Sequence, residues 1–167
     1  MSKNYAVING KCVELTDEQV KSISAEIVEM KTNPFNRMEL GSYYYVPIYD
    51  GTARTFTEDN GITDTFMHLN GNYFNDKSFA QQVALHQLLY RKLLKFAWDN
   101  GFEDTAEWDG EIEHWCIYYG CCSEQFDTTF HTCAHHSAVY FSSDDAASRA
   151  IKEVVEPFVK EHPEFKW

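Results

Sequence analysis

Proline and glycine are scarce in this 167-residue chain, at four and eight residues. Together with a 44% hydrophobic and 16% aromatic content, that scarcity excludes a collagen-like or largely disordered chain. Long apolar runs are missing too. No stretch approaches the roughly 18 residues that a membrane-spanning helix needs, so no membrane partner is expected. The short apolar stretch near the first residues breaks at Asn9-Gly10, which argues against a signal peptide. Cysteines number five, an odd set with Cys121 and Cys122 adjacent. That pattern predicts free thiols in a reducing cytoplasm.

Positive charge is absent where negative charge is densest. No Lys or Arg occurs between Lys95 and Arg149, an interval holding eleven acidic residues of a chain whose net charge is −12. Seven of them fall in residues 99–113. Such a field repels nucleic-acid phosphates, excluding direct nucleic-acid binding, and attracts basic protein surfaces. The plainer alternative is a solvated face that maintains solubility.

The periodicities predict an α+β fold. Residues 5–15 form a hairpin about Asn9-Gly10, and Thr16 with Gln19 starts a helix by a capping box. Val20, Ile23, Ile27 and Met30 give that helix one apolar stripe, and Asn33-Pro34 ends it. Strands follow at 43–46 and 54–57, with a further strand at 64–69 or 72–74. A long helix runs from Asn75 or Asp76 to about Asp99 and is stopped by Asn100-Gly101. Its apolar residues cover half its circumference, which marks it as the central helix.

After an acidic connector, strands are expected at 114–119, 125–135 and 138–141. A last helix is capped by Ser142. The two stretches read as an internal repeat: aromatic strand, connecting strand, Tyr-Phe strand end, cap, helix. The expected organisation is a hairpin and helix over residues 1–32, then one α+β domain over 33–167. That domain consists of two tandem β-meander–helix units with antiparallel sheet, about 41–99 and 114–160.

Several segments resemble a group of small proteins encoded by phages and prophages of Firmicutes and other gut bacteria. They are Asn33-Pro34-Phe35-Asn36-Arg37, Gly41-Ser42-Tyr43-Tyr44-Tyr45, Gly71-Asn72-Tyr73-Phe74-Asn75-Asp76, residues 84–96 and Val139-Tyr140-Phe141-Ser142-Ser143. The resemblance spans about residues 33–160 and carries no catalytic signature. It implies an accessory phage gene acting on host machinery, as anti-CRISPR proteins do. The cysteine and histidine richness of 114–136 departs from that group.

That departure is where chemistry could reside. His114, Cys116, Cys121, Cys122, His131, Cys133, His135 and His136 lie within 23 residues. Alternation along a strand would put His131, Cys133 and His135 on one face, so Cys116, His131, Cys133 and His135 could close a tetrahedral zinc site. The usual Cys-x₂-Cys and His-x₃-His spacings are missing, however, and Cys and His also serve as ordinary packing residues. A nucleophilic Cys133 or Cys121 beside His131 or His135 would lack the positive surroundings that lower a thiol pKa. His86 is expected as a hydrogen-bonded core histidine of the long helix. The aromatics Tyr43, Tyr44, Tyr45, Tyr49, Trp115, Tyr118 and Tyr119 have no interleaved basic residues, which favours packing or protein contact over base stacking.

The expected activity is therefore non-enzymatic, with no cofactor and no catalytic residue. Asp104, Glu107, Asp109, Glu111 and Glu113 would meet a host bacterial protein with a basic surface, such as a CRISPR effector. A metal- or thiol-dependent enzyme built on 114–136 and a phage assembly regulator are the alternatives.

Overall fold

The computed structural model describes residues 4–8, 11–22, 33–102, 108–136 and 138–167, with side chains from residue 12 onward. The fold is α+β, and the chain divides into two compact units, Met1–Asn36 and Arg37–Trp167. Among the described residues, no helix is long and apolar enough to cross a membrane.

In the first unit, β1 (Asn4–Ile8) pairs antiparallel with β2 (Lys11–Leu15), so that Ile8 faces Lys11 across the turn. Helix α1, described over residues 17–22, opens with the expected capping box. The Gln19 N–H donates to Thr16 Oγ1 at 3.2 Å and the Thr16 N–H to Gln19 Oε1 at 2.9 Å. Two orphan amide donors at the helix start are thereby satisfied reciprocally. The stripe positions Ile23, Ile27 and Met30 lie outside the described residues.

The second unit begins with β3 (Tyr43–Pro47) against β4 (Ala53–Thr57), Tyr43 facing Thr57 and Pro47 facing Ala53. Their turn depends on Gly51, whose φ of +88° suits glycine and whose added Cβ would come within 2.7 Å of Leu88. Residues 64–69 are not a strand: α2 spans Ile62–Leu69. Its start is held by Asp64 rather than by a cap, since the Asp64 carboxylate accepts the Asp59 N–H at 2.8 Å and the Tyr44 hydroxyl at 2.7 Å. Ile62, Phe66 and Leu69 fall at helical spacing and are exposed.

Of residues 72–74, only Phe74 pairs with the sheet, as an antiparallel bridge to Tyr45. Two residues later Asp76 caps α3 (Lys77–Asp99) by accepting the Phe79 N–H at 3.0 Å. Asn100 and Gly101 end that helix. Its buried residues, Ala80, Ala84, Leu85, Leu89, Leu93 and Ala97, wind around more than half of the helix at 100° per residue. Tyr90 and Trp98 reach solvent. His86 is likewise exposed and lies against the Phe165 ring at 4.7 Å, so the expectation of a core histidine is corrected.

The second sheet of this unit pairs β5 (His114–Gly120) with β6 (Gln125–His131), His114 facing His131. Strand pairing stops at His131 because the Thr132 carbonyl turns to accept the Gly110 N–H. Residues 138–141 do not form a strand either. The Tyr140 hydroxyl accepts the His136 N–H at 2.7 Å and donates to the His136 carbonyl, folding the segment onto itself. Only Phe141 pairs, as a bridge to Trp115.

Ser143, not Ser142, then caps α4 (Asp144–Ala150), accepting the Ala146 N–H at 3.1 Å. The chain continues through a π-helical turn, Ile151–Val155, into α5 (Glu156–Glu161). Pro157 has no N–H and would press on the carbonyl four residues back, which the wider turn accommodates. The buried stripe of α3, from Leu85 to Ala97, packs with Val139, Phe141, the alanines of α4, Val155, Phe158 and Phe165 as the main core. Tyr44, Val46 and Tyr73 make a smaller one beside the first sheet of the unit.

Candidate functional site

The acidic residues singled out in the sequence divide by what their carboxylates touch. Asp104 and Glu107 lie outside the described residues. Asp109 accepts the N–H groups of Glu111 (2.9 Å) and Ile112 (3.2 Å), a local turn in which backbone donors hold its carboxyl below the usual carboxylate range. Glu113 accepts the Trp115 indole N–H at 3.2 Å, and Glu111 is exposed.

At the other end of the β5–β6 hairpin, Glu124 and Asp127 are exposed, Asp127 accepting the Tyr118 hydroxyl at 3.3 Å. Asp144, bonded to the Thr128 hydroxyl, ties the start of α4 to β6. Asp145 meets Arg149 at 3.5 Å, an exposed pair that solvent screens. Apart from that pair, residues 96–148 provide no Lys or Arg to offset these charges.

The histidines of 114–136 meet through ring contacts, His114 and His135 around Trp108 and Tyr140, and among the described residues the cysteines do not join them as a ligand set. His114 is buried, stacked on Trp108 at 3.7 Å, and Cys116 is buried beneath the sheet, where burial pushes its thiol pKa up. His131 lies 4.2 Å from the His136 ring, whereas His135 packs on Trp108 and Tyr140. Cys133 and the pair Cys121 and Cys122 are exposed. Because β6 ends at His131, the alternation that would align His131, Cys133 and His135 does not continue. Cys121 stands at the hairpin tip, the opposite end of the strands from His131. Among the described residues, no three His, Cys, Asp or Glu side chains gather as a metal-ligand group. Of the aromatics, Tyr43, Tyr49 and Tyr118 are exposed, whereas Tyr44 is buried.

A different polar cluster emerges that no sequence spacing announced. Glu58 is fully buried and Asp64 nearly so. Arg37 donates through Nε and Nη2 to the two Glu58 oxygens at 3.1 and 2.9 Å. Glu58 also accepts the Tyr73 hydroxyl at 2.7 Å and the Asn60 N–H at 2.9 Å. The Tyr44 and Tyr73 rings stack at 3.9 Å, so the two carboxylate–phenol pairs lie side by side.

Physical causes are distinct at each group. The Arg37 guanidinium holds Glu58 below its ordinary range, while the Asp59 N–H and the Tyr44 hydroxyl bring Asp64 down to about 2. Burial, then the bond to Glu58, pushes Tyr73 up to about 12, and burial with the bond to Asp64 raises Tyr44 further. Both carboxylates are fully engaged, which makes the cluster a brace for the 58–64 loop rather than an acid–base pair awaiting substrate. Arg37 and Glu58 are 21 residues apart, and only the folded chain joins them. No family model matches this chain, and neither a curated protein nor a solved structure is significantly similar to it.

Proposed function

We propose that this chain is a non-enzymatic phage or prophage accessory protein that binds a host bacterial protein in the cytoplasm. It blocks that protein through an acidic surface that includes Asp104, Glu107, Asp109, Glu111 and Glu113, in the manner of anti-CRISPR inhibitors. The observation that carries this reading is the exposure of Glu111, Glu124 and Asp127 in a stretch without a single Lys or Arg from 96 to 148. A concentrated field of one sign accelerates encounter with a basic partner and rejects nucleic acid. The basic groove of a nucleic-acid-handling effector is the surface that such a field matches. The phage setting rests on the resemblance of residues 33–160.

Affinity capture from bacterial lysate tests this reading when two baits are run in parallel. One is the wild-type chain and the other carries Asp104→Asn, Glu107→Gln, Asp109→Asn, Glu111→Gln, Glu113→Gln and Asp127→Asn together. A partner retained by the wild type, released by salt and lost from the substituted bait supports the proposal. Equal capture by both baits, or no retained protein, contradicts it.

A further inference from the structure

We infer that the second unit also binds a small amphipathic anion, an aliphatic chain ending in a carboxylate, in a groove between α3 and β5. The groove encloses about 570 Å³, within the roughly 300–1,000 Å³ typical of small-molecule sites. Leu89 and Leu93 of the buried α3 stripe form its floor, with Ile117 of β5 and Val139, Phe141 and Trp167 as walls. These side chains present hydrocarbon and ring surface, with the Trp167 indole N–H the one hydrogen-bonding group among them. Such a lining suits an alkyl chain and gives no purchase to a polar body.

The rim has the opposite character. Helical spacing sets His86 with Tyr90 in the row beside Leu89 and Leu93, and Gln87 with Arg91 in the row beyond it, at the far edge of the groove. In a chain of net charge −12, the groove lining contains neither Asp nor Glu and has one permanent cation, Arg91. Arg91 Nη2 donates to the Tyr49 carbonyl at 2.7 Å. A guanidinium has five N–H groups, so that bond fixes Arg91 at the rim without exhausting its donors. One planar cation at the far edge of an apolar floor matches one carboxylate at the end of an alkyl chain, which it can engage through two parallel hydrogen bonds. A phosphate monoester, carrying more charge, would call for more cations than this rim supplies.

Decanoate is the probe. Calorimetric titration of the whole protein should show saturable uptake of one decanoate per chain, with amide chemical shifts moving at 86–93, 117 and 138–141. Decyltrimethylammonium, which shares the alkyl chain and reverses the charge, should not compete. Arg91→Gln should weaken decanoate binding about tenfold, the scale of one charge-assisted hydrogen bond. Its melting temperature reports separately whether loss of the Tyr49 contact matters to folding. Absence of saturable binding would overturn the inference. So would equal binding of the cationic analogue, shifts centred elsewhere, or an Arg91→Gln variant that is folded and binds as wild type. None of these readouts involves the acidic face, and failure there leaves this test intact.

Discussion

The Arg37–Trp167 unit contains two hairpins, and each is bridged by a phenylalanine just ahead of a capped helix while using its carboxylates in opposite ways. Phe74 bridges to Tyr45 two residues before the Asp76 cap, and Phe141 bridges to Trp115 two residues before the Ser143 cap. Beside the first bridge, buried Tyr44 stacks on Tyr73, and Glu58 and Asp64 are enclosed with them and Arg37. Beside the second, buried His114 stacks on Trp108, and the acidic residues of the hairpin lie outside, at the surface. Net charge alone does not separate these cases. A carboxylate with donors on every side holds the fold together, whereas one facing solvent without a cation nearby contributes mainly to the external field.

The sharpest way to break the comparison is at the bridging phenylalanines. Both are about 2% exposed, so Phe74→Ala and Phe141→Ala should each cost about 3–5 kcal/mol, the range for truncating a buried aromatic. Urea unfolding of both variants measures this. A loss near zero at one site would show that its phenyl ring does not anchor its hairpin.

The next effect is specific to the first hairpin. Glu58→Ala leaves the Tyr73 hydroxyl without its acceptor and Arg37 without its counter-charge. Because Arg37 is about one-third exposed, the loss should be about 2–3 kcal/mol, below that of a fully enclosed pair. Glu58→Gln keeps an acceptor for Tyr73 and should lose less. An equal loss from the two variants would mean that packing rather than charge dominates there.

The dependence on pH separates the hairpins further. Asp64 lies at about 2 in the fold against an ordinary 3.8, a depressed value. Its contribution is therefore complete above about pH 4 and is lost as pH falls toward 2. Tyr73, raised from 10.0 to about 12, has the reverse sign: its contribution is present below pH 10 and is lost as pH rises to about 12. Urea midpoints across pH should show an acid limb that flattens in Asp64→Asn and an alkaline limb that flattens in Tyr73→Phe. Parallel curves for wild type and variants would contradict the assigned hydrogen bonds.

Sequence legibility followed the range of each interaction. The Thr16 capping box, the Asp76 cap and the Asn100-Gly101 stop are local, and each was readable from neighbouring residues. Helix α2 was misread because Ile62, Phe66 and Leu69 are exposed and its start is held by Asp64 reaching Tyr44, twenty residues away. The Ala138–Phe141 segment carries strand-forming residues, yet the Tyr140 hydroxyl bends it back to His136. The Arg37–Glu58 pair and the two stacked tyrosines have no spacing signature. For the acidic face, sequence alone located the absence of cations, whereas the structure separated Asp109, held in its turn, from Glu111 at the surface.

The central claim is that the exposed acids of the second hairpin act together on a basic partner. It is tested most directly by association rates with the captured host protein, measured by stopped flow from low to high ionic strength. Single changes such as Glu111→Gln should leave both the rate and the melting temperature unchanged, since each exposed charge is screened. The chain with Glu111→Gln, Glu113→Gln, Glu124→Gln and Asp127→Asn combined should associate more slowly and with a flatter salt dependence, while melting as wild type does. A combined variant that is folded and retains the wild-type rate and salt slope would contradict the account.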